Sequence, residues 1–150
     1  MKMETIEIRI VPKAEAAEWV WSLHRIRPSM ALGTLLAGDR WSCVSEAAIA
    51  EEEGKIVGIA TIAPEGEQMS GEPAIVGLYV LHQYRGRGIG YQLLEAAVDY
   101  MLSKGLKPIR LDVVNSRVLR MVERLPAGKR QKLNVVDQSM AGMLDLMMEI

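Results

Sequence analysis

The chain has 150 residues, a net charge of −1, one cysteine and 49% hydrophobic residues. Its length fits one domain spanning residues 1–150, and a chain of this size buries roughly two thirds of its unfolded surface. A general nucleic-acid binder is usually strongly basic, so the charge argues against a nucleic-acid partner. The lone Cys43 excludes an internal disulfide and forms no metal-ligand cluster with the two histidines, so we expect no metal site.

The chain also lacks the patterns of a membrane or secreted protein. No charge-free apolar run approaches the roughly 18 residues that a membrane helix needs. The first five residues, Met1 to Thr5, do not have the pattern of a secretory signal. We therefore expect a cytoplasmic protein that makes no contact with a membrane.

The first half of the chain predicts a strand, two helices and a hairpin. Isoleucines alternate with charged residues in the first segment, and Pro12 suits the first turn of the helix that follows. Ser29 can cap a second helix, and Glu53-Gly54 separates two apolar runs as a hairpin turn does. The predicted elements are a strand at 5–11, a helix to about 26, a helix at 30–36, strands at 47–52 and 55–63, and a loop at 64–73.

The second half predicts alternating strands and helices. Gly105 provides a helix stop, and Pro126 and Gly128 end a later helix. The predicted elements are a strand at 74–81, a helix at 89–104, a strand at 109–114, a helix at 115–125 and a closing hairpin of 132–138 with 143–150. The stretch from Met140 to Met148 is rich in Met and Leu, contains Ala141 and fits a helix equally well.

The loop between the strand at 74–81 and the following helix has the composition of an anion cradle. It contains three alternating glycines and two arginines, in the order Arg85-Gly86-Arg87-Gly88-Ile89-Gly90. First-turn N–H groups lack intrahelical partners, and glycines let a phosphate approach the backbone. Tyr91 after the last glycine excludes the Walker loop, and the spacing of Gly88 and Gly90 differs from the dinucleotide fingerprint. Alternatively, the glycines only shape a tight turn.

With this loop the chain resembles the GNAT acyltransferase family, whose hallmark is Gln or Arg, two residues, Gly, one residue, and Gly or Ala. Arg85, Gly88 and Gly90 fill that pattern, and Leu78-Tyr79-Val80 resembles the strand that precedes it in the family. The resemblance covers nearly the whole chain. It implies an α+β fold with a splayed, mixed and mostly antiparallel sheet of about seven strands, flanked by about four helices.

The resemblance also implies a cosubstrate and the residues that hold it. In the family the loop amides bind the pyrophosphate of acetyl-CoA, which assigns this role to residues 85–90. The preceding strand pairs with the pantetheine arm, which involves Leu78, Tyr79 and Val80, and the N–H of Val80 would meet the oxyanion. Asn115 would be a further cofactor contact, although an N-cap role is about equally compatible with its position.

The catalytic groups are less clear than the cofactor residues. Asp112 lies near the end of the strand beside the expected thioester and is the candidate general base; the alternative is a solvated strand carboxylate. Many family members carry a tyrosine acid where this chain has Val122, so that role does not transfer. The weaker candidates for a catalytic side chain are Glu72, Tyr79, His82 and Cys43.

A basic segment follows in the last predicted helix and beyond it. A solvated face is the commoner explanation, and contact with the 3′-phosphate of coenzyme A is the functional one. The residues are Arg117, Arg120, Arg124, Lys129, Arg130 and Lys132.

These observations favour an acyl-CoA dependent N-acyltransferase that transfers an acetyl group to a primary amine of a small molecule or peptide. A possible homodimer is compatible with the resemblance. Because Val122 replaces the usual acid, the alternative is a catalytically degenerate domain that binds acyl-CoA as a sensor or regulatory module. A nucleotide-binding regulator is the third hypothesis.

Overall fold

The computed structural model of the protein describes residues 6–26, 39–66, 70–113 and 116–137. Within these ranges the chain forms six strands, three longer helices and two helices of four residues. The strands are β1 Ile6–Pro12, β2 Glu46–Glu52, β3 Lys55–Ala63, β4 Ala74–Val80, β5 Ile109–Val113 and β6 Leu133–Asp137. The helices are α1 Lys13–Ile26, α2 Asp39–Ser42, α3 Ile89–Ser103, α4 Ser116–Arg124 and α5 Ala127–Arg130, and a 3-10 turn spans His82–Tyr84.

The predicted elements that fall on described residues are confirmed, with boundaries shifted by one or two residues. Pro12 is the last residue of β1 rather than the first turn of α1. The helices α2 and α5 and the 3-10 turn were not expected, because elements of three or four residues are too short to show a hydrophobic period. The predicted helix at 30–36, the predicted strand at 143–150 and Asn115 lie outside the described residues.

The six described strands form one mixed sheet in the order β1-β2-β3-β4-β5-β6. The first four strands pair in antiparallel fashion, whereas β4–β5 and β5–β6 are parallel. The turn between β2 and β3 has positive φ values at both central residues, Glu53 at 50° and Gly54 at 81°. This conformation matches the twist of a tight hairpin, which explains why the Glu53-Gly54 pair predicted it.

The sheet splits between β4 and β5. Among the described residues these strands pair only at Ala74 with Arg110 and Ile75 with Leu111. A register shift against β3 falls at the same place, because Thr61 pairs with Gly77 while its neighbour Ile62 pairs with Ile75. Val76 is therefore the extra residue of a β-bulge, and the strand bends at such a bulge. The splayed sheet that the family resemblance implied is confirmed.

Two layers of helix cover the sheet. The larger core lies under α3, whose buried residues recur every three or four positions and include Leu93, Leu94, Val98 and Met101. Burying each such side chain contributes roughly 1.5–3 kcal/mol relative to leaving it in water. The smaller core lies under α1 and contains Val11, Ala16, Val20, Ala47, Ile49 and Ile59, with Trp19 and Trp41 packed against it.

Trp21, by contrast, is 44% exposed. None of the helices in the described ranges is long and apolar enough to cross a membrane.

Candidate functional site

The edge of β4 that faces the split presents main-chain groups that pair with no neighbouring strand. The N–H of Leu81 donates to the carbonyl of Val57 on β3 at 2.9 Å. Because bonded and non-bonded pairs alternate in an antiparallel ladder, the main-chain groups of Val80 and Leu78 point away from β3. Beyond Ile75 this edge has no pairing with β5 in the described residues. It can therefore accept an extended ligand that pairs as an added strand.

The glycine loop begins at Arg85, five residues beyond the end of β4, and leads into α3. Gly86 and Gly88 have φ values of 81° and 80°, which side-chain-bearing residues rarely adopt, and a Cβ at either position would meet open space. Gly88 is also the N-cap of α3 and has no side-chain cap. The two glycines are thus required by the backbone path, and the surface above them stays open for a ligand.

The N–H groups at this turn are divided between internal bonds and the open surface. The N–H of Arg85 donates to the carbonyl of His82 at 3.2 Å. Among the described residues, those of Gly86, Gly88 and Ile89 donate to no main-chain carbonyl. Converging N–H groups at a helix N-terminus form a site for an anion. Within the predicted segment, the N–H groups that are open to an anion therefore begin after Arg85.

Gly90 serves a different purpose from the other two glycines. A Cβ at this position would lie 2.9 Å from the Cε atom of Met121 on α4 and 3.8 Å from a methyl group of Val80. Gly90 is buried and its φ is not positive. The residue allows the first turn of α3 to pack closely against Met121 of α4.

The aromatic residues near the loop hold its two arginines. The guanidinium of Arg87 lies over the Tyr84 ring at 5.1 Å from the centroid, and the Tyr84 hydroxyl donates to Glu52 at 3.2 Å. The guanidinium of Arg85 lies over the Tyr79 ring at 5.4 Å. Cation–π contacts of this kind stabilise exposed arginines by about 0.5–1 kcal/mol each. Both arginines are therefore held at the loop despite being exposed.

A charged cluster lies on β5 at the start of the split. Asp112 accepts a hydrogen bond of 3.1 Å from Nε of Arg110, and Nη2 of Arg110 is also 3.1 Å from the same carboxylate oxygen, Oδ1. Glu72 accepts a bond of 2.7 Å from the Asn134 amide, and it lies 3.5 Å from Arg110. The nearby charge of Asp112, more than that of Glu72, raises the pKa of Arg110. The candidate base Asp112 is thus oriented through one oxygen by a permanently charged neighbour.

The position expected to carry a catalytic acid belongs to the core instead. Val122 is 4% exposed and packs in the cluster under α3. The residue before it, Met121, is half-buried and lies beside Gly90. Residue 122, which the spacing of the family motif assigns to the tyrosine, is therefore a buried position of α4. Asn115, which was to begin that motif, lies outside the described residues.

The other candidate residues are spread around the site. His82 is exposed in the 3-10 turn beside the loop. Cys43 is half-buried. Tyr79 packs against the smaller core and so lies on the α1 face of the sheet.

Several residues of the basic segment have partners within the protein. The guanidinium of Arg124 lies 4.5 Å from the Tyr91 ring centroid, and that of Arg130 donates to the carbonyl of Glu123 at 3.1 Å. Lys129 contacts Asp99 and Glu95 at 2.9 and 3.1 Å. These three cations connect α4 and α5 to their surroundings. A structural role accounts for them, and contact with a 3′-phosphate stays a prediction.

Sequence reasoning missed the partners of the predicted residues rather than the residues themselves. Side chains two residues apart in a strand lie on the same face of the sheet, so the contact between Arg110 and Asp112 could have been predicted. Asn134 reaches Glu72 only because β6 lies parallel to β5, and no local pattern signals that pairing. Met121 likewise depends on how α4 is rotated against α3.

Comparison with protein-family models matches residues 12–125 to the acetyltransferase (GNAT) family. Among solved structures, the chain is similar to a GNAT family N-acetyltransferase, YhbS, from Escherichia coli in complex with CoA. That match has 17% identity and a TM-score of 0.60, and it covers 81% of this chain and 69% of the other. An aminoglycoside N-acetyltransferase, AAC(6′)-Iy, in complex with CoA matches at 20% identity and a TM-score of 0.54, covering 79% and 84%.

A third similar structure is the IAA acetyltransferase from Bacillus cereus, at 19% identity and a TM-score of 0.58, covering 80% of this chain and 75% of the other. At these identities the likeness concerns the fold. No curated protein matches the chain.

Proposed function

Because the chain belongs to the GNAT acetyltransferase family, we propose that it transfers an acetyl group from acetyl-CoA to a primary amine of a small molecule or peptide. The observation that carries the proposal is the continuity of two main-chain surfaces. The open edge of β4 leads directly to the N-terminus of α3 with its two positive-φ glycines. An extended amide arm that ends in a diphosphate matches both surfaces in that order.

The proposed cosubstrate is held mainly by main-chain groups. The diphosphate lies at the N–H groups from Gly86 to Gly90, where the helix dipole and the open space above Gly88 favour an anion. The pantetheine arm then runs back along β4 and pairs first with Val80 and next with Leu78. Arg87, which lies over Tyr84 at the same loop, adds positive charge beside the diphosphate.

This order along the strand bears on the oxyanion donor. β4 runs from the point where it separates from β5 towards the loop. Leu78 therefore lies closer to that point than Val80 does, by two residues or about 7 Å. Asp112 is the first β5 residue past the last paired position, so it also lies at the split. A thioester carbonyl that is close to Asp112 therefore meets the N–H of Leu78, which replaces Val80 as the proposed donor. A preorganised donor of this kind supplies about 3 kcal/mol.

The reaction needs a neutral amine more than it needs an acid. The amine nitrogen attacks the thioester carbon, the C–N bond forms, and the C–S bond breaks to release a thiolate. Deprotonating a lysine-like amine at pH 7 costs about 4.6 kcal/mol, whereas leaving a thiolate unprotonated costs only about 2 kcal/mol. Asp112 is the proposed base, since its Oδ1 is held by Arg110 and its other oxygen can accept the proton.

The burial of Val122 favours a second candidate function, a domain that binds acetyl-CoA without transferring the acetyl group. The core position of this side chain leaves the expected acid without a counterpart at the matching residue. The arginine on Asp112 favours the same candidate, because it competes with a substrate for the carboxylate. This candidate shares the cosubstrate site and differs only on the β5 side.

Two measurements test these candidates. Isothermal titration calorimetry with acetyl-CoA tests the site, and absence of binding refutes both candidates. Acetyl transfer is tested by the release of free thiol from acetyl-CoA in the presence of a panel of primary amines. The panel includes aminoglycosides, lysine-containing peptides and peptides with a free α-amino group. Release above the rate of the buffer control supports the transferase. Binding without release across the panel supports the sensor domain.

A further inference from the structure

Arg85 connects the two halves of the candidate site, the open edge of β4 and the glycine loop. Its Nε donates a hydrogen bond of 2.9 Å to the main-chain carbonyl of Val80. Its guanidinium also lies over the Tyr79 ring, 5.4 Å from the centroid. The side chain is exposed but folds back onto the strand that precedes its own loop.

The carbonyl that Arg85 holds is one that an added strand would use. Because Val80 forms a non-bonded pair with Gly58, its carbonyl points to the split. Val80 is also the last residue of β4, so it is the edge position nearest the loop. A ligand that is anchored at the loop and extends along β4 brings its nearest amide N–H to this carbonyl. Arg85 and the ligand amide therefore compete for one acceptor.

From this competition we infer that Arg85 is a specificity-determining residue, which disfavours thioester carriers that lack phosphates. The inference rests on the proposed function. An uncharged pantetheine arm has to displace Nε of Arg85 from Val80, and it offers the guanidinium nothing in return. A carrier with a diphosphate at the loop offers the displaced guanidinium an anion, and arginine binds phosphate oxygens through two parallel N–H groups.

The expected change in affinity is that of losing one hydrogen bond. A net contribution typical of a single protein hydrogen bond corresponds to a change of about threefold to tenfold in affinity. The displaced Arg85 adds a gain of similar size for a carrier with phosphates. Both kinds of carrier displace the bond, so discrimination between them through this one side chain equals the phosphate gain alone, about threefold to tenfold.

The test compares acetylpantetheine, which carries no phosphate, with acetyl-CoA on the wild type, Arg85→Met and Arg85→Lys. Titration calorimetry or chemical-shift titration gives both dissociation constants. Arg85→Met is expected to bind acetylpantetheine about threefold to tenfold more tightly, while its affinity for acetyl-CoA changes by less than about threefold, because the lost phosphate contact offsets the bond that no longer has to be displaced. Arg85→Lys keeps the charge without the Nε donor, so it is expected to bind acetylpantetheine more tightly and acetyl-CoA no more weakly than the wild type.

Arg25→Met is the matched control. Arg25 is exposed on α1 and donates to the Ser22 hydroxyl at 3.3 Å, so the control also removes a guanidinium that holds a local hydrogen bond. It is expected to change neither dissociation constant by more than about twofold. Unchanged or weaker binding of acetylpantetheine to folded Arg85→Met and Arg85→Lys would overturn the inference.

A measurement on the wild type alone keeps the inference testable if the variants do not fold or if acetyl-CoA does not bind. The Nε–H group of Arg85 is expected to exchange with solvent more slowly than that of Arg25 in proton–nitrogen NMR spectra of the free protein. Equal exchange rates would contradict the bond to Val80 and refute the inference, whatever the protein binds. Absence of heat with acetyl-CoA refutes the proposed function instead, so the two failures are distinguishable.

Discussion

The two strands that flank the split contribute to the candidate site in different ways. On the β4 side, the edge and the glycine loop offer main-chain groups, whose positions depend on the strand geometry and on two positive-φ glycines. On the β5 side, the candidate chemistry depends on side chains, namely Asp112, its partner Arg110 and the residues of α4. The first region matches the family pattern, and the second departs from it at Val122.

This difference shows that binding and chemistry can diverge separately in one fold. A main-chain site is kept by any sequence that keeps the backbone path. A side-chain site depends on which side chains a helix buries, and α4 places Val122 in the core and the half-buried Met121 beside Gly90. Under the proposed function, catalysis therefore depends on the side chains of the β5 side. Binding of the cosubstrate depends on the main-chain groups of the β4 side.

The largest expected effect tests the β4 side. Gly88→Glu places a carboxylate where the diphosphate is proposed to lie, at a residue with φ of 80° and open space around its Cβ position. The like charges repel, so the dissociation constant for acetyl-CoA is expected to rise at least about a hundredfold in titration calorimetry.

Gly54→Glu is the control for backbone strain in that experiment. Gly54 has φ of 81°, and its Cβ position is equally open, but it lies in the β2–β3 turn. Both variants bear a similar cost of about 1–2 kcal/mol for a side chain in the left-handed region. An equal loss of affinity in the two variants would attribute the effect to stability and contradict the proposed diphosphate site.

The next effect tests the β5 side. Asp112→Asn removes the proposed base while preserving the shape of the side chain and a contact to Arg110. The acetyl-transfer rate is expected to fall about a hundredfold at pH 7 and only about tenfold at pH 9, because a larger share of the amine is already neutral at the higher pH. Rates of thiol release measured across this range provide the check, and an equal loss at both pH values would exclude a role as base.

Much of the β4 side could be predicted from the sequence because its signals are local. The pair Glu53-Gly54 predicts the hairpin turn, and the glycines after Arg85 predict a loop that leads into a helix. Gly88 has the positive φ that this reasoning requires, whereas Gly90 is a glycine for packing against Met121. The pattern of glycines alone does not distinguish these two reasons.

The β5 side could be predicted only in part, because its arrangement depends on tertiary contacts. The strand and the exposed face of Asp112 follow from alternation, but the bond from Asn134 to Glu72 requires the parallel pairing of β6. The rotation of α4 depends on packing against α3, so spacing from the strand could not locate Val122. The bond from Arg85 to Val80 joins residues five apart in sequence, yet no local pattern predicts it.

A pair of tyrosine substitutions tests the rotation of α4. Val122→Tyr forces a larger, polar side chain into the core under α3 and is expected to lower the free energy of unfolding by about 1–3 kcal/mol in urea denaturation. Met121→Tyr changes a half-buried residue and is expected to cost less than about 1 kcal/mol. If the two costs were reversed, the acid position of the family motif would face the site at residue 122 and the alignment by spacing would be correct.

The smallest expected effect concerns the link between the two regions, where Lys129 on α5 contacts Asp99 and Glu95 on α3. The hydrogen bond to Asp99, and next that to Glu95, raises the pKa of Lys129 above its ordinary value of 10.5. A raised pKa contributes stability that is present below pH 10.5 and is lost as the pH rises through the folded-state value. Lys129→Met is therefore expected to lower Tm by about 1–3 °C at pH 7, where solvent screens the pairs.

Differential scanning calorimetry of the wild type and Lys129→Met provides the check, with Lys55→Met as the control because Lys55 is exposed in the hairpin. The difference in Tm is expected to shrink in 1 M salt and to disappear as the pH rises through the raised pKa of Lys129. A difference that persists under both conditions would show that Lys129 acts through the packing of its methylene chain. The contact between α5 and α3 would then depend on apolar packing of the Lys129 methylene groups rather than on its ion pairs.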